Sequence, residues 1–334
     1  MNLNKVIQPN RPEPIIGKVD VMPFRKKMDA KIAVEALLGG RYVIISDAYS
    51  TGLIVLRALK NYLENRLNDK TFKDQRNFRS TYRELSNKIV LHVFNHKLKV
   101  KKSPEIGWLK KLYPELDEFL LPFPQVQGLN SAWQWYKKGI LIPVLKRKIH
   151  PFFGTYFPTR FEHIDLFDDW LNNFNGSKEL AYDVGVGSGV LSYQMLNHGF
   201  QKVYGTDTNP NAIVGLEEQK VKGLELLYGN LFVKSNEKSD LIVFNPPWLP
   251  ATHSVDGIDK AIYYTDELFN EFFEQAKQRL NLNGRVVLLF SNLAEVSKAS
   301  KIIFVLPLVF FKFSSKTFFN ALDVKSSFIV LNKV

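Results

Sequence analysis

The chain of 334 residues contains no cysteine. Disulfide bonds, thiolate metal sites and cysteine nucleophiles are therefore excluded, and a reducing compartment is the expected location. Long apolar runs are also absent. The longest, residues 302–311, is too short to span a bilayer, and the first residues lack the apolar core of a signal peptide. We therefore predict a cytoplasmic protein without a membrane partner.

Acidic residues are scarce in the N-terminal part of the chain. Residues 1–150 hold 28 Lys and Arg against 13 Asp and Glu, a net charge of +15, whereas residues 151–334 hold 17 against 20 and carry −3. Because phosphate binding is driven by the number of cations, this asymmetry favours a nucleic acid or the ribosome as the partner. The alternative is the solvated face of an ordinary basic protein.

Length and composition predict two domains, because 334 residues are long for one compact core and 45% of them are apolar. We place the boundary near residue 150. Residues 1–150 are expected to form a basic, mostly α-helical domain for substrate recognition. Residues 151–334 are expected to form an α/β domain.

Apolar spacing in the first domain predicts helices over residues 29–66, 76–95 and 104–124. Two short segments are less clear from their pattern. Residues 42–46 are either a short strand or part of a buried helix, and residues 97–102 are either a short strand or an arm.

After residue 150, short apolar strands alternate with helical stretches. The predicted strands are 180–184, 202–206, 225–228, 241–244 and 285–290. This alternation predicts a doubly wound, Rossmann-like parallel sheet. Ligands of such sheets bind beyond the carboxyl ends of the strands, so the residues that follow each strand are the candidate site.

A glycine-rich loop follows the first of these strands. It contains Asp183, Gly185, Gly187 and Gly189. Glycines permit a tight turn and let a ligand approach the backbone. A dinucleotide fingerprint needs Gly or Ala where Val190 stands. Moreover, the carboxylate of Asp183 would repel a phosphate but can orient an ammonium group. We interpret the loop as a site for a ligand that has no pyrophosphate.

The next two strands also end in polar residues. Asp207 follows the second strand, where an acid can accept hydrogen bonds from both ribose hydroxyls. Asn230 follows the third strand, where an amide can meet an adenine edge. Either residue alone would more often be a cap or a surface group. Their ordered placement at strand ends indicates a nucleoside-binding site.

The fourth strand ends in Asn245-Pro246-Pro247-Trp248. Two prolines cannot extend a ladder, because neither has an N–H to donate. The Asn245 side-chain oxygen and the Pro246 carbonyl can accept two N–H bonds from a flat, amine-bearing group, on which Trp248 can stack. The alternative is a simple strand terminator followed by a core tryptophan.

From about Phe152 to Asn292, these motifs resemble the class I S-adenosylmethionine-dependent methyltransferases of the Asn-Pro-Pro-aromatic branch. That branch includes adenine-N6 DNA and RNA, guanine-N2 ribosomal RNA and release-factor glutamine methyltransferases. The resemblance implies S-adenosylmethionine as cofactor and no metal. The resemblance also implies which residues bind the cofactor: Asp183, Gly185, Gly187, Gly189, Asp207, Asn230, Asn245, and Thr159 in the segment that precedes the glycine-rich loop. Asn230 departs from the family, which often has Asp there.

The resemblance implies methyl transfer to a planar NH₂ nitrogen, with residues 245–248 as the clamp on the target. Three hypotheses remain open. The acceptor is an exocyclic base amine of RNA (ribosomal or transfer RNA favoured) or DNA, or it is a protein glutamine, as in the release-factor enzymes. The third hypothesis is a non-catalytic protein that keeps the fold and binds RNA.

Overall fold

A computed structural model describes residues 7–66, 71–233, 235–247, 249–250, 263–264, 266–291 and 326–332. The chain divides into two compact units. We call Arg11–Lys137 the N-terminal unit and Met1–Asn10 together with Lys138–Val334 the C-terminal unit.

The N-terminal unit is a mixed α/β structure. Its strands are β1 (Val21–Phe24), β2 (Tyr42–Ile45), β3 (Ile89–Phe94), β4 (Lys97–Leu98) and β5 (Glu118–Pro122). Its helices are α1 (Ala30–Leu38), α2 (Tyr49–Glu64), α3 (Phe72–Ser86), α4 (Trp108–Leu112) and α5 (Phe123–Lys138). Strands β1, β2 and β3 run parallel in this order, and β4 and β5 are antiparallel to β3. Helical residues outnumber strand residues, but the unit also contains a five-stranded sheet that the sequence did not predict.

Two predicted helices of this unit are wrong in part. The helix predicted over 76–95 ends at Ser86, and the buried apolar run that follows forms β3. Such a run suits a central strand as well as a helix. The helix predicted over 104–124 is helical only in α4 and in the first two residues of α5. Pro114 ends α4 because it disfavours helical backbone at the residue before it. The ambiguous segments 42–46 and 97–102 contain the strands β2 and β4.

The division between the units lies before residue 150. Residues 138–150 form a hairpin of β6 (Ile140–Ile142) and β7 (Arg147–Ile149). Its buried Ile142 and Ile149 join a cluster with Val190 and Ile213 of the C-terminal unit. The hairpin thus packs into the apolar core of the C-terminal unit, and this explains why the boundary lies before residue 150.

The C-terminal unit is built on a six-stranded sheet. Its strands are β8 (Leu180–Val184), β9 (Lys202–Asp207), β10 (Leu224–Tyr228), β11 (Ser239–Phe244), β14 (Leu280–Ser291) and β15 (Ser326–Asn332), and a small pair, β12 (Leu249–Pro250) with β13 (Tyr263–Tyr264), lies apart. The order is β10-β9-β8-β11-β14-β15, and all neighbours are parallel except β14 and β15. The five predicted strands are confirmed, whereas β15 arises from a tail without a recognisable motif.

Helices cover both faces of this sheet. They are α6 (Glu162–Asn172), α7 (Val190–Asn197), α8 (Pro210–Glu217) and α9 (Asp266–Arg279). Tyr182 and Ile242 pack with Phe272 of α9, whereas Ala181 and Leu241 pack with Phe167 of α6. Adjacent residues of one strand thus point to opposite helical layers, as the prediction of a doubly wound sheet requires. Among the described helices, none has the length and apolarity needed to cross a bilayer.

Candidate active site

The glycine-rich loop connects the end of β8 to the start of α7, at the carboxyl edge of the sheet. Gly185, Gly187 and Gly189 have φ values of 71°, 49° and 80°. Residues with a Cβ rarely adopt this left-handed backbone. The Val186 N–H donates to the Thr206 carbonyl at 2.8 Å, which ties the loop to the end of β9. The conformation of the loop therefore explains the three glycines.

Asp183 lies in β8 and is 1% exposed. Its Oδ2 accepts hydrogen bonds from the Ser192 N–H at 2.9 Å and the Ser192 hydroxyl at 2.6 Å. Its Oδ1 is buried without a hydrogen-bond partner among the described residues. Burial raises the pKa of Asp183 to about 7, against the opposing effect of the Ser192 bonds, and the charge of Asp207 adds to the increase. One buried acceptor atom is therefore available to a cationic ligand.

Asp207 ends β9 and holds the same loop. Its Oδ2 accepts the Gly187 N–H at 2.9 Å, and its Oδ1 accepts the Asn209 N–H at 2.8 Å. Burial raises the pKa of Asp207, while these backbone bonds oppose the increase. A carboxylate oxygen has two lone pairs, so each atom can still accept a hydroxyl proton. Asp207 can thus orient the loop and bind a ribose at the same time.

Two asparagines that the sequence analysis missed hold a preceding segment at the site. We call Asn209 and Asn211 the asparagine bracket. The Asn209 Nδ2 donates to the Gly154 carbonyl at 2.8 Å, and the Asn211 Nδ2 donates to the Phe153 carbonyl at 2.6 Å. Asn209 also caps α8 by accepting the Asn211 N–H at 3.0 Å. The capping pattern Asn-Pro after a strand was the available sequence signal, but it indicates only a helix start.

The segment held by the bracket approaches the glycine loop at Tyr156. A Cβ added to Gly187 would lie 3.3 Å from the Tyr156 carbonyl oxygen, which leaves little room for any side chain there. Thr159, the predicted cofactor residue of this segment, is exposed. The structure therefore brings Tyr156 to the loop, three positions before the predicted residue.

Asn245 and the two prolines lie directly beyond the end of β11. Phe244 is in register with Val184 of β8, so Asn245 follows β11 at the level where Gly185 follows β8. Asn245 is half-buried and Pro246 is buried. The topological switch point of the sheet thus places the Asn-Pro-Pro segment beside the glycine loop. Trp248 lies outside the described residues.

Asn230 lies at the same edge, after β10. The preceding Gly229 donates its N–H to the Asp207 carbonyl at 2.9 Å, and Asn230 itself is exposed. The ends of four neighbouring strands therefore bring Asp183, Asp207, Asn230 and Asn245 to one edge of the sheet. Within the described residues, no group of three or more His, Asp or Glu side chains is arranged to hold a metal ion.

These residues suit a ligand that has an ammonium group and a nucleoside. The unpartnered buried oxygen of Asp183 can accept from an ammonium group, and Asp207 can accept from ribose hydroxyls. A loop without side chains lets the ligand lie against the backbone. S-adenosylmethionine combines these features, and the residues present fit it.

A family model described as the methyltransferase small domain matches residues 170–305. A Methanocaldococcus jannaschii protein, provisionally named a protein N5-glutamine methyltransferase, is 29% identical over 164 residues, or 46% of this chain and 80% of that protein. A Clostridium perfringens ribosomal protein L11 methyltransferase is 27% identical over 180 residues, which cover 46% of this chain and 57% of that protein.

Two solved structures are similar to about half of this chain. Ribosomal protein L11 methylase from Lactobacillus delbrueckii subsp. bulgaricus is 20% identical, with 57% of this chain and 87% of that one covered and a TM-score of 0.40. A Streptococcus mutans methyltransferase in complex with S-adenosylhomocysteine is 18% identical, with 53% and 100% covered and a TM-score of 0.39.

The family match spans the sheet from β8 to β14 and includes both the glycine-rich loop and the Asn-Pro-Pro segment. S-adenosylmethionine is the cofactor of such domains. Residues 170–305 thus match the model of the methyltransferase small domain, and the C-terminal unit has the class I S-adenosylmethionine-dependent methyltransferase fold.

Proposed function

We propose that this protein is an N-methyltransferase that modifies a planar NH₂ nitrogen, and that the acceptor is an exocyclic base amine of RNA. The observation that carries the proposal is the position of Asn245 and Pro246, directly beyond β11 and level with the glycine loop. There the Asn245 oxygen and the Pro246 carbonyl can face an amine that lies against the methyl donor.

The clamp acts on a poor nucleophile, because the lone pair of an exocyclic amine is delocalised into the ring. S-adenosylmethionine supplies an electrophilic methyl group when bound. By accepting both N–H bonds, Asn245 and Pro246 favour a tetrahedral nitrogen. These bonds strengthen as positive charge grows on that atom. Trp248 is assigned the role of stacking on the base, which fixes its plane for attack. The nitrogen loses its extra proton to water after the transfer.

The other residues at this edge are assigned to the cofactor. Asp183 orients the ammonium group, Asp207 accepts the ribose hydroxyls, and Asn230 contacts the adenine. The backbone of the glycine-rich loop lies against the cofactor, and Thr159 contributes at the methionine end. The burial of Asp183 supports its role, since the unpartnered oxygen gains a partner when an ammonium group binds.

The charge of the N-terminal unit supports RNA as the acceptor. Residues 11–137 hold 23 Lys and Arg against 13 Asp and Glu, a net charge of +10. An excess of this size attracts a polyanion at physiological salt. We assign the N-terminal unit to substrate recognition and the protein to the cytoplasm.

The proposal is tested by tritiated methyl transfer to fractionated RNA, DNA and protein from a strain that lacks this protein. The expected result is label in RNA with the wild type and none with Asn245→Ala. Label in no fraction would refute the proposed reaction and favour a non-catalytic RNA-binding protein. Label in the DNA or protein fraction alone would refute RNA as the acceptor.

A protein glutamine is the second candidate, and the name of the Methanocaldococcus jannaschii relative favours it. A carboxamide presents the same planar NH₂ group, so the same clamp fits it. Peptide mass spectrometry of the wild-type and deletion strains would test this candidate. It predicts a glutamine whose mass is higher by one methyl group in the wild type only.

A further inference from the structure

Helix α3 of the N-terminal unit carries a row of arginines, which we call the arginine ridge: Arg76, Arg79 and Arg83. All three side chains are exposed. Their spacings of three and four residues place them on one side of the helix. At 1.5 Å per residue, the ridge extends over about 10 Å of the helix axis. It is therefore a continuous row of charge.

The opposite side of α3 fixes the ridge in place. The rings of Phe78 and Tyr82 are stacked with their centroids 6.0 Å apart, and Leu85 is buried. At the start of the helix, the Thr71 hydroxyl oxygen caps α3 by accepting the Asp74 N–H at 3.2 Å. The burial of Leu85 and the packing of α3 against α2 hold this helix on the unit, so little ordering of the backbone is required when a ligand binds the three arginines.

The ridge is not neutralised by its neighbours. Within the described residues, none of the three arginines forms an ion pair with a carboxylate. Other cations of the N-terminal unit do: Arg41 pairs with Asp20 at 2.9 Å, Lys60 with Glu64 at 3.6 Å and Lys88 with Glu84 at 3.6 Å. Like charges three and four positions apart destabilise a helix. The repulsion within the ridge therefore favours binding of an anion that neutralises it.

The surroundings of the ridge favour phosphates over a protein surface. From Asp74 to Ser86, the exposed residues of α3 are all polar or charged: Gln75, Arg76, Asn77, Arg79, Ser80, Thr81, Arg83 and Glu84. A protein interface needs an apolar core to bind, and the described exposed side chains on this side offer none. Guanidinium groups match phosphate oxygens with two parallel hydrogen bonds, which lysine cannot form.

We propose that the arginine ridge binds the sugar–phosphate backbone of RNA and positions the substrate for the C-terminal unit. This inference rests on the proposed function, because it assumes that the substrate is RNA. It adds that a defined row of three cations, rather than net charge, forms the contact. The ridge binds without reading bases, since phosphate contacts position a nucleic acid but do not specify its sequence.

The test is binding of fluorescein-labelled oligouridylate to the full-length protein at several salt concentrations. The ridge variant combines Arg76→Gln, Arg79→Gln and Arg83→Gln. A matched control combines Arg41→Gln, Lys60→Gln and Lys88→Gln, which removes the same charge from paired cations. Thermal melting and S-adenosylmethionine binding are measured for both variants, and a ridge variant that melts like the control is folded.

Release of three counterions from a single strand predicts a slope of log affinity against log salt that is shallower by about 2 in the ridge variant. Its affinity should fall at least about tenfold at about 50 mM salt, with the difference narrowing towards about 200 mM. The control should keep the wild-type slope. Replacement of all three arginines by lysine should keep most of the slope, because the charges remain.

Equal losses in the ridge variant and the control would overturn the proposal, since net charge would then explain binding. Unchanged RNA binding in a folded ridge variant would overturn it as well. So would a ridge variant that still binds RNA but no longer binds an acidic protein that the wild type binds. The outcome is separable from the proposed reaction. Ridge-dependent binding without label in RNA would refute the reaction alone, whereas label in RNA with ridge-independent binding would refute the ridge alone.

Discussion

The two units each place an aspartate near the carboxyl end of a parallel strand, and the two aspartates have opposite environments. Asp47 of the N-terminal unit follows β2 and accepts the Lys26 N–H and the Ala48 N–H, both at 2.7 Å. Burial acts to raise the pKa of Asp47, but the hydrogen bonds outweigh it and the pKa is lowered. Asp183 of the C-terminal unit has one oxygen without a partner among the described residues, and burial raises its pKa.

This difference separates a structural carboxylate from a binding one. Asp47 is stable as a charged group because donors surround it, so it closes a turn and needs no ligand. Burying the charged form of Asp183 costs free energy, since one of its oxygens has no hydrogen-bond partner among the described residues. Perturbed carboxylates of this kind concentrate at functional sites. The comparison therefore supports a ligand site in the C-terminal unit rather than at the similar edge of the N-terminal sheet.

The largest effect is expected from Asn245→Ala. Loss of the side-chain acceptor should lower methyl transfer by roughly 10²–10³-fold, because the clamp then holds one N–H instead of two as charge develops. Cofactor affinity, measured by calorimetry, should stay within about twofold of the wild type. The exposed Asn175 of the same unit gives the control variant Asn175→Ala, which should transfer methyl normally. Wild-type turnover in Asn245→Ala would remove the clamp from the mechanism.

A substitution in the asparagine bracket should destabilise the C-terminal unit. Asn211 is 1% exposed and bonds to the backbone of both Asn10 and Phe153. Asn211→Ala removes three partly buried hydrogen bonds, so unfolding in urea should show a loss of about 1–3 kcal/mol. Cofactor affinity should fall as well, because the segment that reaches Tyr156 loses its anchor. Normal affinity in a destabilised variant would limit the bracket to a structural role.

The role of the asparagine bracket could not be predicted from the sequence. The β8-to-β9 region was predictable, because apolar strands there end in glycines and acids with a recognised spacing. Asn211, by contrast, bonds to residues that are remote in the chain, and no local pattern reveals such tertiary contacts. The helix predicted through residues 89–94 failed for a related reason. An apolar run that becomes the centre of a sheet looks like a buried helix until its neighbours are known.

Asp183→Asn should remove a pH dependence from cofactor binding. The pKa of Asp183 is near 7, so the wild type should bind an ammonium-bearing cofactor more tightly as pH rises from about 6 to about 8 and the carboxylate becomes charged. The variant should show little pH dependence and bind about tenfold more weakly at about pH 8. Parallel pH profiles for the two proteins, measured by calorimetry, would contradict a contact between Asp183 and the ammonium group.

The smallest effect is expected from Asp47→Asn. The direction in which its stability changes with pH tests the comparison between the two aspartates. The folded pKa of Asp47 lies below the ordinary value of 3.8, so its charge contributes stability above that pH, and this contribution is lost as pH falls through the folded pKa. Because the group is near the surface, the loss of stability in Asp47→Asn at neutral pH should be below about 1 kcal/mol.

The pH dependence of stability should be opposite for Asp183. Its folded pKa is raised from 3.8 to about 7, so its contribution to wild-type stability declines as pH rises between these values. Urea unfolding across this range should therefore show Asp183→Asn gaining stability relative to wild type as pH rises, while Asp47→Asn gains none. The same direction of change in both variants would show that the two carboxylates are not opposites.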